Sequence, residues 1–263
     1  MDFALQLSTD KIADKRRIYL LDEFRGAAVI CMVVYHALYT IGFMFNYEWG
    51  KSLYHFFMPA EPFFAALFIF ISGICTHLSH SNLRRGLILF TIAAAINAVT
   101  AVFVPNFSIK FGVLNLLSVC MILFGLFHSL TEKIHPKLGL ALCATLFVLT
   151  WGVCSGYIGI LKMRLFELPK TLYSTPFLFP VGLKNERFVS TDYFPILPWA
   201  FVFFSGAFFA DIFSQKVLPE TFYKIHLKSL VWAGRRALYI YIIHQPVIIL
   251  SVTVVRSMTQ FKF

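Results

Sequence analysis

Charged side chains are scarce in this chain. They make up 14% of its 263 residues, against about a quarter in ordinary globular domains. Hydrophobic residues account for 59%, and the mean hydropathy is +0.74. So few polar groups cannot cover the apolar surface of a water-soluble fold, which excludes a two-domain soluble enzyme and predicts an all-α, polytopic membrane bundle. Acid is scarcer than base, with 13 Asp and Glu against 23 Lys and Arg and a formal net charge of +10. In a membrane chain that excess is explained by loops held on the cytoplasmic side, so no nucleic-acid partner is expected. The five cysteines, Cys31, Cys75, Cys120, Cys143 and Cys154, all lie inside apolar runs and form no CxxC pair. They read as small buried hydrophobes, with neither a disulfide framework nor a metal site. The stretch from Met1 to Arg17 mixes acidic and basic residues without a short apolar core and cleavage site. No removable signal is expected there, so the first helix would direct insertion.

Seven apolar windows are long enough to span a bilayer: Gly26–Phe45, Pro62–His80, Gly86–Val104, Phe111–Leu130, Leu138–Ile160, Phe194–Phe213 and Ala237–Val255. The expected organisation is a cytoplasmic N-terminal segment over 1–19, one transmembrane domain over 20–256 and a short tail over 257–263. With the N-terminus in the cytoplasm, the inner side receives Lys11, Lys15, Arg16, Arg17, Arg25, Arg84, Arg85, Lys133, Lys137, Lys216, Lys224, Lys228, Arg235 and Arg236. The short outer segments keep only Lys51, Lys110, Arg256 and Lys262, the asymmetry expected of that orientation. The longest outer connection, 161–191, carries Pro169, Pro176 and Pro180 and reads as a lid or binding loop. The stretch from Asn46 to Glu61 is a second outer loop. Pro195 and Pro198 predict an irregular start to the sixth window. In the last window Pro246 removes one helical hydrogen bond beside His244 and Gln245.

The most informative stretch is Leu20 to Phe45, LLDEFRGAAVICMVVYHALYTIGFMF. Arg25 and His36 are eleven residues apart, almost three turns at about 3.6 residues each, so they share a helix face some ~16 Å apart along the axis. One belongs at an aqueous surface and the other near mid-membrane. An ionisable group in hydrocarbon is costly, which makes His36 a candidate for function.

Taken in order, LDEFRGAAVICMVVYH, FIFISGICTHLS, RRGLILF, IKFGVLNLLSVCMIL, FPILPWAFVFFSG and YIYIIHQPVI resemble the bacterial proteins related to the catalytic domain of heparan-α-glucosaminide N-acetyltransferase. That group lies within a wider superfamily of transmembrane acyltransferases. The resemblance runs from about Arg17 to about Ile249. It implies transfer of an acyl group, usually acetyl, from cytosolic acyl-coenzyme A to an extracytoplasmic acceptor of the amino-sugar or glycan class. An Arg, ten residues and a His mark the superfamily, which puts Arg25 and His36 at the matching positions and His36 in the catalytic role. The lysosomal enzyme differs here, with an Asn at the position of His36 and its active-site His in the following luminal loop. The nearest equivalent in this chain is His55, ranked second. Related bacterial proteins often carry a His where Asn115 stands, which weakens a proton-transfer role for Asn115.

Coenzyme A is a polyanion with a thin arm ending in the thiol. Arg25, Arg84, Arg85, Arg235 and Arg236 sit at expected cytosolic helix ends, where a guanidinium grips phosphate in a bidentate fork. Asp22, three residues before Arg25, is placed to orient it. Asn97 and Thr100 in the third window and Asn115 in the fourth are candidate donors to a thioester carbonyl. His244 is a second base or a structural anchor, and with Gln245 it would line the polar pocket. Plainer roles exist for each: a topology anchor for the arginines, interhelical hydrogen bonding for His77 and the asparagines. His80, His128, His135 and His226 receive no role. A transporter or channel, or a non-catalytic subunit of the same fold, is the competing class. A prokaryotic inner membrane is the expected home, and the number of chains stays open, a homodimer among the alternatives.

Overall fold

In the computed structural model the described residues are mostly helical. The structure describes residues 17–77, 79, 81–160, 163–214 and 218–260. The expected N-terminal segment before Arg17, with Lys11, Lys15 and Arg16, lies outside the described residues, as do His80, Leu161, Lys216, Lys262 and the end of the tail. The helices are α1 (Tyr19–Tyr39), α2 (Glu48–Phe57), α3 (Glu61–Ile74), α4 (Asn82–Phe103), α5 (Val113–Leu126), the short α6 (His128–Thr131), α7 (Pro136–Thr150), α8 (Ile196–Ser214), α9 (Lys228–Arg235) and α10 (Ala237–Gln260). A hairpin of β1 (Tyr157–Ile160) and β2 (Met163–Glu167) follows α7.

Among the described residues six helical stretches are long and apolar enough to cross a membrane: Tyr19–Met44, Glu48–Ile74, Asn82–Phe103, Pro136–Ser155, Ile196–Phe213 and Ala237–Met258. The fourth window, Phe111–Leu130, folds as the shorter apolar helix Val113–Leu126. Its 14 residues reach about 21 Å at ~1.5 Å each, less than the ~30 Å of a hydrocarbon core. Proline placement explains several starts, since Pro62 and Pro136 occupy the first turns of α3 and α7, where a missing N–H costs nothing.

Two expected loops turn out to be structured. The stretch read as an outer loop from Asn46 is mostly α2, started after Asn46 adopts a positive φ of 60° and closed by a 3₁₀ turn at Met58–Ala60. Lys51 holds that start by donating from Nζ to Asn46 Oδ1 at 2.7 Å and Glu48 Oε1 at 2.8 Å. The loop expected over 161–191 begins inside the β-hairpin, which pairs Tyr157 with Glu167 and Ile160 with Met163. The hydrophobic windows reveal neither, because both elements are short and their residues mixed in polarity.

The chain forms two compact units, one from residues up to Phe56 together with those from Leu218 onward, the other from Phe57 to Val217. In the first, α1 packs against α9 and α10. Gly26 and Gly234 make the α1–α9 approach possible, because a Cβ on Gly26 would strike the Leu230 carbonyl and one on Gly234 the Asp22 carbonyl. Ala28, Val29, Val231, Ala233, Ala237 and Tyr241 are buried there.

In the second unit α8 is central, packed by α3, α5 and α7, while α4 pairs with α5. The α3–α8 crossing is close for the same reason, with Gly73 against the Phe203 carbonyl and Gly206 against the Phe70 carbonyl. Ile69, Ile71, Leu116, Phe124 and Phe203 are essentially fully buried around it. The expected irregularity at the start of α8 is present: Leu197 leaves helical geometry at φ −96°, ψ 124°. Ahead of it, Phe194 donates its backbone N–H to the Phe111 carbonyl at 3.0 Å. In the same segment the Tyr193 hydroxyl donates to the Phe179 carbonyl at 2.6 Å, and burial holds its phenol above the ordinary range.

Candidate functional site

The residues that sequence reasoning singled out divide between the two units, and their surroundings differ. In the first unit α1 is unbroken from Tyr19 to Tyr39. Arg25 and His36 therefore keep the shared face that their spacing requires. At the N-terminal end of α1, Asp22 is buried and accepts from Arg17 Nε at 2.7 Å, with Arg25 Nη1 at 3.6 Å from its other oxygen. The expected partnership of Asp22 and Arg25 is thus present, and the Arg25 side chain is 20% exposed.

Beside it, Glu23 fastens the start of α9. Its carboxylate accepts from the backbone N–H groups of His226 at 2.6 Å and Leu227 at 2.9 Å, and lies 3.1 Å from His226 Nδ1. An anion here satisfies donors that the first helical turn leaves without partners. His226 had no role from sequence. A carboxylate next to Asp22 inside an apolar stretch was the available signal, but its partner lies 203 positions away. At the other end of α9, Arg235 and Arg236 are exposed, and the Arg236 guanidinium lies 4.9 Å from the Trp232 ring centroid.

Farther along α1, His36 is half-buried and faces α10, where the His244 ring centroid lies 5.1 Å from its own with the planes at 57°. His244 is buried, and its Nδ1 sits 2.6 Å from the Tyr241 carbonyl. A carbonyl only accepts, so Nδ1 carries the hydrogen and Nε2 is the basic nitrogen. One turn on, the fully buried Thr40 donates from Oγ1 to Gln245 Oε1 at 3.2 Å. Four polar groups thus meet where α1 crosses α10: His36 and Thr40 from one side, His244 and Gln245 from the other.

The backbone is irregular at this point. After Tyr39 the helix widens into a π-helical turn over Thr40–Met44, a device frequent at functional sites. Helix α10 runs on through Pro246 instead of ending there. Neither the π turn nor the pairing of His36 with His244 has a local sequence signature, since the partners are 208 residues apart.

His55, the second-ranked base, is exposed on α2 and packs edge-on against Phe43 and Tyr54, centroids at 6.0 and 5.7 Å. Tyr54 in turn stacks on Tyr35 and accepts its hydroxyl proton at 2.8 Å. His55 therefore connects to the neighbour of His36 through an aromatic chain, and its ring contacts are aromatic.

In the second unit the candidate residues have backbone tasks. Asn115 Oδ1 accepts from the Gly112 N–H at 3.1 Å, and Asp192 Oδ2 from the Val113 N–H at 3.3 Å, so together they cap α5. Asn97 donates from Nδ2 to the Lys110 carbonyl at 3.0 Å, and Thr100 Oγ1 accepts from the Ile109 N–H at 3.1 Å, tying down the turn after α4. His77 meets Asp211 of α8, Nδ1 to Oδ1 at 3.3 Å, as an interhelical partner. Arg84 and Arg85 stand exposed in the first turn of α4. Among the described residues no group of three or more His, Cys, Asp or Glu comes together as a metal site.

The family model described as heparan-alpha-glucosaminide N-acetyltransferase, catalytic, matches residues 17–246. No curated protein and no solved structure matches the chain. The match spans α1 through the His244, Gln245 and Pro246 run of α10, taking in every candidate residue. The chain belongs to the heparan-alpha-glucosaminide N-acetyltransferase catalytic-domain family, a family whose activity is acetyl transfer and which this chain represents as a multi-pass membrane protein.

Proposed function

We propose that this chain is an integral membrane acyltransferase, carrying an acetyl group from cytosolic acetyl-coenzyme A to an extracytoplasmic acceptor, an amino sugar or glycan. The observation that carries the reading is the meeting of His36 with His244, Thr40 and Gln245 deep along α1, on the helix whose entrance holds Arg25 against Asp22. A buried polar cluster without a capping task is expensive to keep in an apolar span. An arginine on the same face supplies the phosphate grip that a coenzyme A thioester needs.

In this reading Arg25, with Arg235 and Arg236, binds the donor's phosphates, and Asp22 fixes the Arg25 guanidinium. His36 is the general base. As the acceptor amine or hydroxyl attacks the thioester carbonyl, a nitrogen–carbon or oxygen–carbon bond forms and the carbon–sulfur bond breaks. The acceptor's proton passes to His36, and the departing sulfur ends protonated as free coenzyme A. His55 is the alternative base, on the strength of family resemblance. The basic helix ends support an N-inside orientation in a prokaryotic inner membrane.

The test is incubation of membranes carrying the protein with acetyl-labelled acetyl-coenzyme A, followed by identification of the labelled product. Label on an amino sugar or glycan is the expected result. Solute flux with no label transferred would put the chain among transporters and overturn the reading.

A further inference from the structure

Two imidazoles in contact inside an apolar helix pair call for an account of both, and base catalysis by His36 uses one. We infer that His244 is the positioning residue for His36, holding its ring and taking over the proton that His36 gathers. The chemistry rests on the acyltransferase reading; the pairing rests on geometry alone.

Three observations converge. The Tyr241 carbonyl fixes the His244 hydrogen on Nδ1, so the ring offers a basic Nε2, and that atom is buried. The ring centroids of His36 and His244 are 5.1 Å apart, contact distance for two imidazoles. The Thr40 to Gln245 hydrogen bond, one turn farther along, pins α1 to α10 and holds that spacing. Among the described residues, Tyr35, with its centroid 6.1 Å from His36, and Tyr241, 5.5 Å from His244, also lie against the pair. Both are phenols, and a phenol supplies no basic nitrogen.

The step balances within the pair. When the acceptor's X–H bond breaks, its proton goes to His36, and a proton from the other nitrogen of His36 moves to His244 Nε2. His36 is then neutral and His244 is the imidazolium. When the carbon–sulfur bond breaks, the electron pair leaves with sulfur and the same path in reverse returns one proton to it. The pair gains one proton from the acceptor and loses one to the thiol, and spreading the charge over two rings lowers its cost in the span.

The test uses the purified full chain in detergent, as wild type, His244→Phe and His244→Gln. Phe keeps the ring volume without nitrogen, and Gln keeps a polar group and serves if Phe does not fold. For the folded variants we expect kcat for label transfer to fall by about a hundredfold, the scale of one proton-transfer group, with KM for acetyl-coenzyme A unchanged. Unchanged kcat in a folded variant overturns the inference. A second readout needs no turnover: with ¹⁵N-labelled histidine, the ring-nitrogen resonances of His36 should move in either variant. Resonances that stay in place overturn the pairing. Resonances that move, in a wild type that transfers no label, support the pairing while the acyltransferase reading fails.

Discussion

The α1–α10 crossing of the first unit and the α3–α8 crossing of the second are made from similar apolar helices, yet they treat polar side chains differently. Around α3 and α8 the buried contacts include Ile69, Ile71 and Phe203, and four of that unit's polar side chains bond backbone where the chain passes from one helix to the next: Asn115 and Asp192 cap α5, Thr100 and Asn97 close a turn. Along α1 and α10 the polar groups His36, Thr40, His244 and Gln245 sit inside the spans Tyr19–Met44 and Ala237–Met258, and their side chains cap no helix end. A polar side chain at a helix end earns its place by satisfying the backbone; one in mid-span needs another reason, and chemistry is the reason proposed for His36.

Five substitutions sharpen or break this contrast. Gly234→Leu and Gly206→Leu each push a side chain into a facing carbonyl, and each should lower stability by about 3 kcal/mol, as overpacking does. Thermal melting checks that common loss. Only Gly234→Leu should also weaken acetyl-coenzyme A binding, since Asp22 and Arg25 flank its contact; equal effects on binding would erase the distinction. Next, Arg25→Ala should raise KM for acetyl-coenzyme A by about tenfold or more, the loss of a charge-assisted contact, with little change in kcat. Asn115→Ala should cost about 1 kcal/mol of stability, as a lost cap does, and leave transfer per folded molecule unchanged. Smallest, Thr40→Val should cost about 0.6 kcal/mol, the mean for an interhelical hydrogen bond in a membrane, read as a small drop in melting temperature.

Part of this was legible in the sequence. Hydropathy windows report burial in lipid directly, so six of the seven expected spans, and even the face shared by Arg25 and His36, follow from composition and a fixed helical period. The order of short motifs gave the family. Asn97 and Asn115 looked like candidate donors because a mid-window asparagine has no local explanation. The explanation lies at Lys110 and Gly112, where the chain leaves one helix and enters the next, and a hydropathy window passes straight over that boundary. Likewise Glu23 with His226, and His36 with His244, are pairs set by how α1 meets α9 and α10, and packing between helices distant in sequence leaves no periodic trace. The widening of the helix at Thr40–Met44 changes one hydrogen-bond step without needing a special residue, so TIGFM reads as plain α-helix.

The most direct measurement compares wild type and His36→Ala, purified, reconstituted and shown to have the same helix content and melting behaviour, in the release of free coenzyme A from acetyl-coenzyme A with a glycan-type acceptor. The account predicts a rate lower by about a hundredfold to ten-thousandfold in the variant, the range for a lost general base. A folded His36→Ala protein that turns over at the wild-type rate would contradict it.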